Sequence, residues 1–134
     1  MTGFPLKIVT PDGIRFDGTA QKLLVRTTSG DVAILARHIN FVAPLGMGQA
    51  SVTVDGEVRR GACIGGMVSV VDGVVTLVPT TFEWSEDIDV ARAEASKQRA
   101  EETLHKTGAT DLEISLAEAR LKRALIRTNV AKYK

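Results

Sequence analysis

An all-β sandwich or barrel followed by an antiparallel two-helix hairpin is the fold that this sequence predicts. Three features carry the prediction. Xaa-Gly turns recur among β-branched runs up to Trp84, helix-period patterning is missing from that half, and residues 87–134 hold strong helix formers broken by a single glycine. The division is expected at 86/87, with a β-sandwich domain over residues 1–86 and a helical hairpin over 87–134.

In the first part, turn dipeptides fall at Asp12-Gly13, Asp17-Gly18, Ser29-Gly30, Asp55-Gly56, Gly65-Gly66 and Asp72-Gly73. Their spacing suits an antiparallel sandwich. The runs between them, Leu6 to Val9, Leu23 to Thr28, Val52 to Val54, Val68 to Val71 and Val74 to Val78, read as strands. Asp72-Gly73 between two valine runs is a strong hairpin signal, because both turn positions need positive φ. Gly65-Gly66 is expected to be another hairpin turn. Trp84, the single tryptophan, is expected to pack at the domain junction.

In the second part, acidic residues Glu86, Asp87 and Asp89 suit a helix N-terminus. Ile88 to Lys106 is rich in Ala, Glu, Lys, Gln and Arg. Gly108 ends this helix, Thr110 or Asp111 caps a second, and that one runs to about Lys132. The expected apolar seam is Ala91, Ala95 and Leu104 against Leu112, Leu116, Ala119 and Leu125. Such a seam buries little area, which predicts a marginal hairpin able to move.

Composition narrows the function. With 134 residues and 44% hydrophobic content a core can form. Seventeen basic and sixteen acidic residues give a net charge of +1, which argues against nucleic-acid binding. Aromatic residues make up 4%, too few for stacking platforms. One cysteine, Cys63, cannot form an internal disulfide, which favours a reducing setting. The N-terminal stretch shows no basic start with an apolar h-region, and no stretch is apolar enough for direct membrane insertion.

No catalytic constellation is legible. His38 and His105 sit at no triad or metal spacing, Cys63 lies among apolar and glycine neighbours where a thiol is buried and inert, and no phosphate loop of the P-loop type occurs. The informative cluster is on the helices. Asp89, Arg92 and Arg99 share one face of the first, and Arg120, Arg123 and Arg127 one face of the second. Folding about Gly108-Ala109 at about 1.5 Å per residue brings Arg92 level with the region of Arg127 and Arg99 with that of Arg120. Converging guanidinium groups repel, so an anion would settle the closed hairpin, and the planar fork of arginine matches phosphate oxygens. Asp89 or Glu83 would then meet base or ribose. The ordinary alternative is surface pairing with Glu94, Glu101, Glu102 and Glu118.

Three stretches resemble the epsilon subunit of F-type ATP synthases, and with the hairpin they cover essentially the whole chain. They are Leu6-Lys7-Ile8-Val9-Thr10-Pro11-Asp12-Gly13, the segment from Gly30 to Leu45 (GDVAILARHINFVAPL), and Gly65-Gly66 with its following valines. One departure stands out: the family commonly has Gly-His-x-Pro where this chain has Arg37-His38-Ile39-Asn40. The loop thereby loses a glycine and a proline and gains a charge.

The resemblance implies a non-catalytic central-stalk subunit that couples proton flow to ATP synthesis. In such a subunit the β domain contacts the gamma subunit and the membrane rotor ring. The hairpin extends toward the alpha/beta catalytic head to restrain ATP hydrolysis. The implied location is peripheral, on the cytoplasmic face of the bacterial cell membrane. Some members bind ATP between the folded helices through Ile/Leu-Asp-x-x-Arg-Ala, and Ile88-Asp89-Val90-Ala91-Arg92-Ala93 matches every fixed position. The implied ATP-binding set is Glu83, Ile88, Asp89, Arg92, Ala93, Arg99, Arg123 and Arg127. The last two are placed by Lys122-Arg123-Ala124, with Arg120 a possible substitute for one of them. ATP is then a regulatory ligand and not a substrate, with its magnesium requirement open. Two alternatives stand beside this reading: a stalk subunit with no ligand, and a free-standing sandwich that binds carbohydrate or nucleic acid.

Overall fold

A computed structural model describes residues 2–133, and the chain divides after Trp84 into two compact units. The first holds ten strands: β1 (Phe4–Thr10), β2 (Gly13–Ala20), β3 (Lys22–Thr27), β4 (Gly30–Leu35), β5 (Phe41–Pro44), β6 (Met47–Val54), β7 (Glu57–Ile64), β8 (Met67–Val71), β9 (Val74–Val78) and β10 (Thr81–Trp84). They form two five-stranded sheets, ordered β2-β1-β9-β8-β5 and β10-β7-β6-β3-β4. All neighbours are antiparallel except β1 and β9, which run parallel with Leu6 opposite Val75. The predicted all-β fold is what forms.

Alternation sets the core. In β1, Phe4, Leu6, Ile8 and Thr10 are buried while the residues between them face outward more. Leu6, Ile8, Leu23, Val25, Ile34, Val52, Val68, Val70, Val75 and Leu77 meet between the sheets. Burial of each such side chain contributes about 1.5–3 kcal/mol against chain entropy. Trp84 belongs to this core. Its ring meets Phe82 edge-on at 4.9 Å and Phe16 at 6.4 Å, and its indole N–H donates to the Arg15 carbonyl at 3.0 Å. The Arg59 guanidinium lies 3.8 Å above the ring.

The two Asp-Gly hairpins form as their chemistry requires. Asp55 and Gly56 have φ of 51° and 82°, and Asp72 and Gly73 have 49° and 80°. Two expected turns are corrected. Asp17-Gly18 lies inside β2, where Asp17 pairs with Lys7 and Gly18 with Leu6. Unbroken pairing of Phe4 to Ile8 with Ala20 to Phe16 holds that segment extended. Gly65-Gly66 is no hairpin turn, because β7 and β8 belong to different sheets. It is a corner where the chain crosses between them. A side chain there is excluded, since a Cβ on Gly66 would strike the Val78 carbonyl oxygen. Another crossing, after β2, has no glycine; Gln21 is buried there and its Oε1 accepts from the Asp55 N–H at 2.6 Å.

The second unit contains a short 3-10 turn (Ser85–Asp87), α1 (Val90–His105) and α2 (Asp111–Ala131). Asp89 is the N-cap of α1 and Thr110 that of α2, the latter in a capping box with Glu113. Gly108, at φ 80°, supplies the break between the helices.

The seam differs from the expected one. Ala91, Ala95, Leu112, Leu116 and Leu125 are exposed, and Leu104 and Ala119 are half-buried. The buried line is Ala93 and Ala100 on α1 and Ala117, Ala124, Val130 and Ala131 on α2. Ala93 and Ala100 lie seven residues apart, as do Ala117, Ala124 and Ala131 in turn. That period keeps one small residue facing the partner helix every second turn and lets the backbones approach closely.

Candidate functional site

The register of the hairpin places its arginines. At the tip, the Lys106 ammonium pairs with Glu113 at 3.4 Å. At the base, the Ser85 hydroxyl lies 3.5 Å from the Tyr133 carbonyl. Descending α1 and ascending α2 residue by residue between these points sets Arg99 level with Arg120 and Arg92 level with Arg127. An open groove of about 340 Å3 on one side of the pair obeys the same register, lined by Val90, Glu94 and Lys97 from α1 with Leu125 and Asn129 among the residues from α2.

That groove also settles which side the arginines occupy. At 3.6 residues per turn, Arg92 and Arg99 fall across the alanine line of α1 from Val90 and Glu94. Arg120, Arg123 and Arg127 fall across the alanine line of α2 from Leu125 and Asn129. All five therefore share the opposite side of the hairpin. By helical spacing Arg120 and Arg127 fall nearest the alanine line of α2, and Arg123 falls between their levels. Arg92, Arg99 and Arg120 are exposed, and Arg123 and Arg127 are half-buried.

Surface pairing with glutamates does not absorb this charge. Among the described residues, Arg92, Arg99, Arg120 and Arg123 make no ion pair. Glu101 pairs instead with Lys97 at 4.0 Å, and Glu113 with Lys106. Four cations thus line one side of two helices in contact, a geometry that lowers its energy by taking up an anion.

The remaining candidate residues have distinct placements. One oxygen of Asp89 accepts from the Arg92 backbone N–H at 3.0 Å, so this carboxylate caps α1 and is only half available to a ligand. Ile88 and Ala93 are buried, and Ala93 belongs to the helix seam. Glu83 lies half-buried in β10, opposite Ala62. Cys63 is buried, and burial pushes its thiol up to about 12, far from reactive thiolate. Among the described residues no group of three or more His, Cys, Asp or Glu could hold a metal ion, and no helix is long and apolar enough to cross a membrane.

The sandwich carries a second surface that sequence reasoning missed. Val71 pairs with Val74 and Met67 with Val78, all exposed, on the face of the first sheet turned away from the buried Val68, Val70, Val75 and Leu77. Val42, which is 62% exposed, extends this face on β5. Its signal was Met67 and Val71 at the ends of β8 and Val74 and Val78 at the ends of β9, where a solvated face would carry polar residues.

Residues 3–85 match the family model of the ATP synthase delta/epsilon chain beta-sandwich domain, and residues 86–132 match that of its long alpha-helix domain. The chain belongs to the ATP synthase delta/epsilon family. An ATP synthase epsilon chain from Ruminococcus albus is 44% identical over 135 residues, covering 100% of both chains. Among solved structures, a chain of the Euglena gracilis mitochondrial ATP synthase (OSCP/F1/c-ring) superposes with a TM-score of 0.83 at 20% identity. That match covers 100% of this chain and 83% of the other. A chain from the central stalk and c-ring of the Tetrahymena thermophila enzyme gives 0.65 at 14% identity, with 95% of each covered. These two likenesses concern the fold alone; the family rests on the two matched models and the 44% identical relative.

Proposed function

We propose that this chain is the non-catalytic epsilon subunit of the central stalk of a proton-driven F-type ATP synthase. It lies peripherally on the cytoplasmic face of the bacterial membrane and couples rotation to ATP synthesis. The apolar face of Val42, Met67, Val71, Val74 and Val78 suits a permanent contact, which we assign to the gamma subunit, with the rotor ring also held by the β domain. The hairpin binds ATP as a regulatory ligand and, when released, reaches the alpha/beta head to restrain hydrolysis.

The observation that carries the ligand is the set of Arg92, Arg99, Arg120 and Arg123, which make no ion pair among the described residues, placed beside an intact Ile88-Asp89-x-x-Arg92-Ala93 motif. Calorimetric titration of the full chain with ATP tests it. Binding that weakens in the Asp89→Ala, Arg92→Ala double variant is expected; equal affinity in both would sink the site. For the restraint role, deleting the hairpin should raise ATP hydrolysis by the assembled enzyme, and no rise rejects it.

A second reading keeps the stalk role and discards the ligand. Leu112 and Leu116 are 68% and 56% exposed on the arginine side of α2. This mixed apolar and basic surface suits docking on an acidic partner helix. Under that reading, hydrolysis by the assembled enzyme is indifferent to prior loading of this chain with ATP.

A further inference from the structure

The loop between β4 and β5 holds one residue in a costly backbone conformation. Arg37 has φ 67°, the left-handed region, where a Cβ crowds the following carbonyl. Such an outlier persists only where something compensates for it. The side chain finds no compensation inside the chain. Arg37 is exposed, and its guanidinium makes no ion pair and no hydrogen bond among the described residues. The loop around it is nevertheless tied down. The His38 N–H donates to the Leu35 carbonyl at 3.2 Å, and the His38 ring meets Phe41 edge-on at 5.7 Å. At the far end, Asn40 Oδ1 accepts the Asp72 N–H at 2.9 Å. Close to Arg37 stands Ile39, at 78% the most exposed large apolar side chain among the described residues. A cation and an apolar prong thus project from a loop anchored on both sides of them.

The same loop borders the apolar face of the first sheet. Asp72 lies in the turn between Val71 and Val74, and Val42 follows the loop on β5; all three valines are exposed. We propose that Arg37 is a specificity residue of an interface that includes this border. Its guanidinium pairs with a carboxylate on the partner that covers the apolar face, and Ile39 enters an apolar pocket beside that carboxylate. The proposal rests on the assignment of that face to the gamma subunit and adds a charged contact at its edge. Charge sets the partner's chemistry. The planar fork of arginine matches a carboxylate in two parallel bonds, and its charge rejects a basic surface at the same place. The strained backbone is then offset in the assembly and not in the free chain.

The test is association of the full chain with the gamma subunit, followed by calorimetry at low and high salt. Wild type is compared with Arg37→Gly, Arg37→Glu, Arg37→Lys and Val74→Asp. Arg37→Gly should weaken binding about ten-fold, the loss of a charge-assisted bond, and flatten its salt dependence. Arg37→Glu keeps the backbone cost but reverses the charge, and should weaken binding about a hundred-fold. Arg37→Lys keeps the charge without the fork and should fall between wild type and Arg37→Gly. The denaturant midpoint of free Arg37→Gly should stay at or above that of wild type, which separates a lost contact from a lost fold. Undiminished affinity in Arg37→Glu, or a lower midpoint for Arg37→Gly, overturns the proposal. Val74→Asp puts a charge into the apolar face and should abolish binding. Wild-type affinity in Val74→Asp sinks the gamma assignment of that face and this proposal with it. Abolished binding in Val74→Asp beside intact binding in Arg37→Glu overturns the role of Arg37 alone.

Discussion

The Asp89 carboxylate accepts the Arg92 backbone N–H at 3.0 Å, so the two fixed polar residues of the Ile/Leu-Asp-x-x-Arg-Ala motif are joined before any ligand arrives. The bond caps α1 and fixes where the helix begins, and with it the level at which Arg92 projects. Replacing Asp89 by Ala removes the cap and should cost about 1 kcal/mol of hairpin stability. Serine caps without a carboxylate. If Asp89 acts on ATP through this geometry, Asp89→Ser retains affinity and Asp89→Ala does not; thermal melts followed by circular dichroism report the cap separately. Loss of ATP affinity in both, with the Ser variant fully helical, would show direct contact between carboxylate and ligand.

The alanine seam makes its own prediction. Ala100 is fully buried, whereas Ala95 on the same helix is exposed. Leucine at position 100 must push the helices apart, at a cost of roughly 1–3 kcal/mol. Leucine at position 95 should be neutral within about 0.5 kcal/mol. Helix melting in the two variants distinguishes this seam from one through Ala91 and Ala95, for which the ranking would reverse.

Acid should loosen the hairpin tip. The Glu113 carboxyl is held below its ordinary 4.5 by the Thr110 backbone N–H first, then by the Thr110 hydroxyl and the Lys106 ammonium. A depressed folded-state pKa means that the stabilisation is complete above the unfolded value and fades as pH falls through the folded one. Helicity should therefore drop below about pH 4.5 as the capping box is protonated. Glu113→Gln keeps the box but cannot titrate, and its profile should be flatter there. An identical acid transition in both proteins would place the titration elsewhere.

The sandwich was legible because its information is local. Asp55-Gly56 and Asp72-Gly73 demand positive φ, and the valine runs beside them alternate with the pleat. Gly65-Gly66 and Asp17-Gly18 misled because a Gly-containing pair marks a backbone possibility, while the pairing partner decides whether the chain turns, crosses or continues. The helices were legible in extent, from Asp89 and Thr110 caps to the Gly108 break, but not in facing. Alanines at 91, 93, 95 and 100 point several ways, and leucines at 112, 116 and 125 attract attention by hydrophobicity although alanine packs closer. The arginine levels followed from helical rise alone, since antiparallel register needs only a turn and a pitch. What escaped was the one-sided apolar face around Val71 and Val74, which periodicity counts as strand and says nothing of its covering.

The Arg37-His38-Ile39-Asn40 loop closes the question of its unusual sequence with opposite effects at its two ends. Arg37 sits at φ 67°, the left-handed region that glycine enters without strain and an arginine Cβ resists. Asn40 does what a proline could not, its Oδ1 accepting the Asp72 N–H at 2.9 Å and tying the loop to the β8–β9 turn. Glycine at position 37 relieves a conformational penalty of roughly 1–2 kcal/mol and adds chain entropy to the unfolded state of about half that, so Arg37→Gly should stabilise the sandwich by up to about 1 kcal/mol. Asn40→Pro removes the tie and should destabilise by about 1 kcal/mol. Denaturant midpoints of the two variants carry the comparison. A lower midpoint for Arg37→Gly would mean that the arginine side chain makes contacts worth more than its backbone strain.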